Sequence, residues 1–179
     1  MVRGSLLALD LGSKIGWAMA TAEALDAWPR LGSLEPGSGP IEGVCYGTVD
    51  MSLTKPVAAR FCRAFHWLFA KVDGNPVTCI YYEAALPARA QSSIQAGKIA
   101  LGLAGLVQAI GWDHEAVLCD RHPSSIKKHF TGKGNAEKVT VLQACRRRGW
   151  APDSEDCGDA LALLDYAAVE RLNGGPNAP

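Results

Sequence analysis

The chain has 179 residues and a mass of 19.0 kDa, with 48% hydrophobic and 20% charged residues. At roughly 100–200 residues per domain this makes one globular unit with its own core and excludes two full domains. Eighteen Lys and Arg balance eighteen Asp and Glu, with a pI near 6.9, so neither a polycation nor an acidic tail protein is at hand, and any affinity for an anion must be local.

The longest strongly apolar stretch, residues 99–110, falls short of the ~20 residues of a bilayer span. The apolar run near the N-terminus meets Asp10 before a signal-peptide core is complete. No membrane segment is expected, and the expected location is cytoplasmic. Six cysteines at 45, 62, 79, 119, 145 and 157 form no CxxC pair and read as reduced, mostly buried thiols.

In chain order, residues 5–11 and 15–20 flank the turn-prone Gly12-Ser13-Lys14 and predict a hairpin of two strands. Residues 29–43, rich in Gly, Pro and Ser, read as a surface loop, and 44–49 as a third strand. A helix is expected from Thr54, with Pro56 just after it and Val57, Phe61, Phe65, Leu68 and Phe69 facing a sheet. A strand follows at 77–83, a long helix at 90–110, a strand at 116–118, a basic helical region at 124–148 and a final helix at 156–171. Residues 173–179 have nothing to bury and are expected to fray. Three consecutive strands followed by alternating helix and strand define an α/β layer fold with a mixed sheet, one domain over residues 1–172.

Two of these strands end at single acids. Asp10 follows Leu-Leu-Ala-Leu, where a carboxylate at the edge of a buried strand needs a cation or hydrogen-bond donors; the turn at 12–14 is one candidate source of donors. Glu83 repeats the pattern at the end of Cys-Ile-Tyr-Tyr, with Arg89 as an alternative ion-pair partner. Asp156 and Asp159, at i and i+3, share a helix face at the start of a nearly wholly apolar helix. Acids also favour helix N-termini for their own sake, and Asp153 or Ser154 suits a cap. Three separate elements each presenting acids at an edge make a shared divalent cation the economical reading. Oxygen donors select Mg²⁺ or Mn²⁺, and two ions about 4 Å apart suit in-line phosphodiester hydrolysis, one activating the attacking water and the other stabilising the leaving oxygen.

Between residues 121 and 148 eight Lys and Arg face one acid, Glu137, whereas from 149 onward one Arg faces six acids. The neutral total thus hides a basic block directly before the acidic pair, as suits a polyanion led to a metal site. Within the block, Thr131-Gly132-Lys133-Gly134-Asn135-Ala136-Glu137-Lys138 reads as a glycine-permitted turn and a helix start, with N–H groups and lysines available to phosphate. It lacks the P-loop pattern. His122 and His129 lie in the same block; His66 reads as a surface residue, and the five tryptophans as core or loop anchors.

Four blocks now stand in order: Leu9-Asp10-Leu11-Gly12-Ser13; Tyr82-Glu83 with Gln91-Ser92-Ser93-Ile94-Gln95-Ala96-Gly97-Lys98; Ile126-Lys127-Lys128 with the 131–138 turn; and Asp156-Cys157-Gly158-Asp159-Ala160-Leu161-Ala162. In these the chain resembles the RuvC-type Holliday-junction resolvases of the RNase H-like nuclease superfamily. The resemblance implies an RNase H-like five-stranded mixed sheet flanked by helices, and a homodimeric, metal-dependent endonuclease that nicks two strands of a four-way DNA junction symmetrically. By motif position it implies Asp10, Glu83, Asp156 and Asp159 as ligands of two Mg²⁺ ions, with Mn²⁺ able to substitute. Lys127 and Lys138 would lie near the scissile phosphate. Lys127, Lys128, Lys133, Leu86 and Arg89 are the expected DNA contacts, Leu86 standing where the family often carries an aromatic wedge. The helix at 90–110 carries one stripe of Ile99, Leu103, Leu106 and Ile110 and another of Ala96, Ala100 and Ala104; the sheet covers one, and a second subunit or the same chain covers the other. Competing readings are a nuclease on RNA or flap DNA and a non-catalytic branched-DNA binder. An actin-like ATPase ranks last, because the chain is too short for its two domains.

Overall fold

The computed structural model describes residues 4–28, 40–52, 56–85 and 94–176. Its elements are β1 (Ser5–Asp10), β2 (Lys14–Ala20), α1 (Ala22–Asp26), β3 (Val44–Asp50), α2 (Val57–Asp73), β4 (Val77–Glu83), α3 (Ile94–Asp113), β5 (Val117–Arg121), α4 (Pro123–Thr131), α5 (Lys138–Arg147) and α6 (Glu155–Leu172). The five strands form one sheet in the order β3-β2-β1-β4-β5. β1, β2 and β3 are antiparallel neighbours, whereas β4 runs parallel to β1 and β5 parallel to β4. The expected mixed five-stranded sheet flanked by helices is therefore present.

Side chains alternate across a strand, and this sorts the core into two layers. Leu6 and Ala8 of β1, Ala18 and Ala20 of β2, and Cys79 and Tyr81 of β4 face α6, α4 and α5. Leu7 and Leu9, Ile15 and Met19, and Ile80 and Tyr82 face α2 and α3. α6 is buried nearly all round, from Ala160 through Leu164 and again at Ala167 and Ala168, because the sheet covers one side and α4 and α5 the other. Its start is defined by Ser154, whose hydroxyl accepts from the Cys157 N–H at 3.0 Å, and by Glu155 and Asp156, two acids against the positive end of the helix dipole.

Several expectations shift. A short helix, α1, opens after Thr21 caps it through the Ala24 N–H; five residues carry too little periodicity to read in advance. β5 continues to Arg121. The basic region is two helices, divided where Gly132 takes a left-handed conformation (φ 82°) and caps α4. On α2 the buried stripe is Ala64, Leu68 and Val72, with Phe65 and Phe69 exposed; each lies one residue, about 100°, past a buried position. On α3 Ile99, Leu103 and Ile110 are buried and Leu106 half-buried; in the second stripe Ala104 is buried and Ala96 and Ala100 half-buried within this chain, while Leu101, Gly105 and Trp112 are exposed. Trp112 is 85% exposed, whereas Trp28 and Trp150 are core. By length and hydropathy α3 alone among the described residues could cross a membrane; here it covers one face of the sheet. The cysteines are free, four buried and Cys45 and Cys62 exposed. The expected helix start at Thr54, residues 90–93 and most of the 29–43 loop lie outside the described residues.

One contact sets where α6 begins. A Cβ on Gly16 would stand 1.9 Å from the Asp156 carbonyl oxygen and 2.8 Å from the Cys157 nitrogen, so only glycine lets this turn lie against β2. Gly16→Ala must displace backbone rather than a flexible side chain, and we expect a loss of roughly 2–3 kcal/mol of stability, read as a lower denaturation midpoint; an unchanged midpoint would show that α6 does not need this approach.

Candidate active site

The register brings the first two acids together. β1 and β4 pair in parallel with Leu9 opposite Tyr82, so Asp10 and Glu83, one residue on, end adjacent strands at the same edge. Both belong to the alternation that faces α6. Asp10 is also paired with Gly16 across β2, and Gly16 is the residue against which the first turn of α6 rests. Asp156 and Asp159 are thereby carried to the same edge. A polar clasp from the edge strand β3, where Thr48 pairs with Gly16, also holds this turn: the Thr48 hydroxyl donates to Asp153 at 2.7 Å and is hydrogen-bonded to Ser154.

The acids act on one another electrostatically. Burial raises the Asp10 pKa well above its ordinary value, and the charges of Glu83, Asp159 and Asp156 raise it further, against an opposing effect of Lys138. Burial and then Asp159 push Glu83 up to about 7, while a side-chain hydrogen bond with Asp10 and the charges of Lys127 and Lys138 pull the other way. Asp159 is raised mainly by burial, with Lys127 and Lys138 the main opposition. Lys138 lies 3.3 Å from Glu155 and 3.7 Å from Asp156; burial alone would lower its pKa, but Asp156, Glu155 and Asp159 raise it overall.

The two lysines come from the two halves of the basic block. Pro123 at the first helical position and the His122 ring, which accepts from the Ser124 N–H at 3.2 Å, start α4, and Lys127 follows one turn later. The Thr131 hydroxyl donates to the Lys127 carbonyl at 2.8 Å, and the Gly132 cap then turns the chain toward Lys138, the first residue of α5. Lys128 and Lys133 are exposed at the end of α4 and in the turn after it. Leu86 and Arg89 lie outside the described residues.

Not all of the basic block is available to a ligand. Arg121 is bound to Glu170 through its Nε and Nη2, the latter at 2.6 Å, and Arg148 is buried, donating to the Ala144 and Phe130 carbonyls. His129 reaches inward to the fully buried Asp165 at 3.1 Å, whose other oxygen accepts from Trp28, so it forms a core tether between α4 and α6. Lys14, beside the turn proposed as an alternative partner for Asp10, pairs instead with Asp50 at 3.7 Å. Sequence reasoning passed over Glu155, Gly16 and Thr48; the only advance sign of Glu155 was its place directly before Asp156.

Four partly buried carboxylates with no soft donor among them are the chemistry of a hard divalent cation, whose charge would offset the burial and mutual repulsion that raise Asp10, Glu83 and Asp159. Among the described residues no three Asp, Glu, His or Cys side chains close around a point as ligands do.

No protein-family model matches the chain. Among solved structures it is similar to Thermus thermophilus RuvC in complex with a Holliday-junction substrate, at 15% identity and a TM-score of 0.67 over 92% of this chain and 95% of that one. It is similar also to a second Thermus thermophilus RuvC structure, at 18% identity and 0.64 over 94% and 96%, and to the yeast mitochondrial Holliday junction resolvase Ydc2, at 11% and 0.61 over 96% and 80%. The chain has the RuvC-type, RNase H-like α/β fold. At these identities the likeness is one of fold, and function rests on the site.

The raised Glu83 pKa has a consequence for stability. Between its ordinary value of 4.5 and about 7 the folded state holds a proton that the unfolded state has released, so stability falls as pH rises through that window. In metal-free buffer Glu83→Gln should therefore be more stable than wild type at pH 8 by ~1–3 kcal/mol and nearly equal at pH 4.5. Denaturant titrations at the two pH values check this; a variant less stable at pH 8 would mean that Glu83 is not crowded by the other acids.

Proposed function

We propose that the protein is a metal-dependent, structure-selective DNA endonuclease that resolves four-way junctions by paired nicks. The observation that carries the proposal is the convergence of Asp10, Glu83, Asp156 and Asp159 from β1, β4 and α6 at one sheet edge, with Lys127 and Lys138 beside them. The solved structures of this fold, one with a Holliday junction, support a branched-DNA substrate. The four carboxylates would hold divalent cations, two Mg²⁺ with Mn²⁺ able to substitute, whose chemistry is to activate water and stabilise the leaving oxygen of a phosphodiester. Lys127 and Lys138 offset the phosphate's charge against the acids, and the exposed Lys128 and Lys133 draw the flanking backbone along the α4–α5 edge. Leu86 and Arg89 remain proposed DNA contacts in the segment after β4.

Paired nicks need two such sites, and an open apolar surface supports a second copy of the chain as partner. Phe65 and Phe69 stack at 5.9 Å on α2, Phe69 meets the His114 ring just past α3, and Leu101 and Trp112 of α3 are 63% and 85% exposed. Together they make an exposed apolar surface of the kind that marks an interface. The protein is proposed to act in the cytoplasm.

Incubation with synthetic four-way, flap and duplex substrates in Mg²⁺ or Mn²⁺ tests the reading. We expect symmetric nicks in the four-way substrate, lost by at least about 100-fold in Asp159→Asn with the fold intact. Preferred cleavage of the flap or of RNA would move the activity to another substrate, and tight junction binding without nicking would make the protein a branched-DNA binder.

The dimer is tested separately. Wild type should sediment as a dimer and Leu101→Glu/Trp112→Glu as a monomer; a monomeric wild type removes the dimer from the proposal.

A further inference from the structure

α5 begins against a local rule. Its first residue is a lysine, its first turn has no acid, and Glu137 makes no side-chain cap, so Lys138 adds positive charge to the positive end of the helix dipole. What offsets it is on the neighbouring helix: Glu155, the first residue of α6, at 3.3 Å, nearer than Asp156 at 3.7 Å. Glu155 stands at the mouth of the acidic cluster rather than inside it. It is 56% exposed where Asp156 is 26%, and it acts on Asp159 less than Asp156 does. Lys138 is itself 47% exposed, reachable by a ligand from solvent, and its ammonium is shared between an outer and an inner carboxylate.

We propose that Glu155 is a positioning residue that restrains Lys138, its carboxylate occupying in the free protein the place that a DNA phosphate takes in the complex. Bound phosphate must displace Glu155 from the ammonium, so the pair weakens DNA binding while it keeps Lys138 gathered at the site. The inference rests on the nucleic-acid reading above, and the carboxylate and the phosphate compete for one cation with comparable geometry. Glu155 needs no metal for this role, and its exposure means that removing its charge leaves no buried group unpaired.

The test is a double-mutant cycle on equilibrium binding of a labelled four-way junction in EDTA at low salt, with wild type, Glu155→Gln, Lys138→Ala and the double variant. Glu155→Gln should tighten binding about fivefold, and that gain should shrink to less than about 1.5-fold in the Lys138→Ala background, because without the ammonium there is nothing to release. Added salt should erase the gain in the single variant. Equal gains in both backgrounds would show that Glu155 only adds negative charge near the DNA, and weaker or unchanged binding by Glu155→Gln would show that it does not compete for Lys138; either result overturns the proposal. Thermal midpoints of the four proteins separate a change in binding from a change in folding. If wild type binds neither junction nor duplex, the nuclease reading fails and this inference falls with it; if wild type binds and the cycle shows no coupling, the restraint alone fails.

Discussion

Negative charge that the fold gathers and does not neutralise governs this molecule. Asp10 and Glu83 end adjacent parallel strands on the same face, and α6 brings two more carboxylates over them. Burial and mutual repulsion hold three of these groups toward their protonated forms, which is a cost in stability at neutral pH. Lys127 and Lys138 offset part of it. Replacing one of these acids with an amide would relieve that cost, so their presence together points to a ligand of opposite charge.

The rest of the fold supplies the rigidity this arrangement demands. α6 is the most buried helix of the chain, so its first turn is held by a core extending four turns beyond it. Close approach at Gly16, the Thr48 clasp and the Ser154 cap fix that turn. Farther along α6, Asp165 ties His129 and Trp28, and Glu170 gathers Tyr81 and Arg121. Buried polar contacts of this kind define a single register, because a slipped helix would leave each of them unpaired. α4, which carries Lys127, is thus fixed to the helix that carries Asp159.

How much of this was legible beforehand depends on the range of each signal. Strand parity and acid position are local, so β1, β4, the long helices and the four carboxylates could be read from periodicity and strand ends. Which face a helix turns inward depends on its neighbours. On α2 Phe61 and Leu68 of the expected stripe pack on the core but Phe65 and Phe69 do not, because the buried row runs through Ala64, Leu68 and Val72. α1 was too short to show a period. The deepest misreadings were of charge: Arg121 and Arg148 counted as part of a basic block, yet their partners, Glu170 and the Phe130 carbonyl, are distant in sequence. Gly16 and Glu155 escaped for the same reason, since the meaning of each lies in a contact that the chain makes only once folded.

That difference bears on how the neutral total charge should be understood. The block of eight basic residues loses Arg148 to the interior and Arg121 to an ion pair with Glu170, and the acids after residue 149 divide between the sheet edge and the core tethers of α6. What remains outward near the site is a short row of lysines at 127, 128, 133 and 138 bordering a partly buried cluster of carboxylates. Attraction for a polyanion and repulsion of its phosphate therefore act within one turn of helix of each other. Exposed lysines are screened by salt over about 8–10 Å, whereas the buried acids are screened far less. Raising ionic strength weakens the attraction while leaving the repulsion nearly intact, so the lysines that attract a phosphate at low salt do not hold it at physiological salt unless a cation of higher charge density than Na⁺ or K⁺ sits among the acids. The surface lysines alone cannot make this edge a DNA site at physiological salt, and the acids alone would repel DNA; the two sets form a site only together with the divalent ions they are proposed to hold.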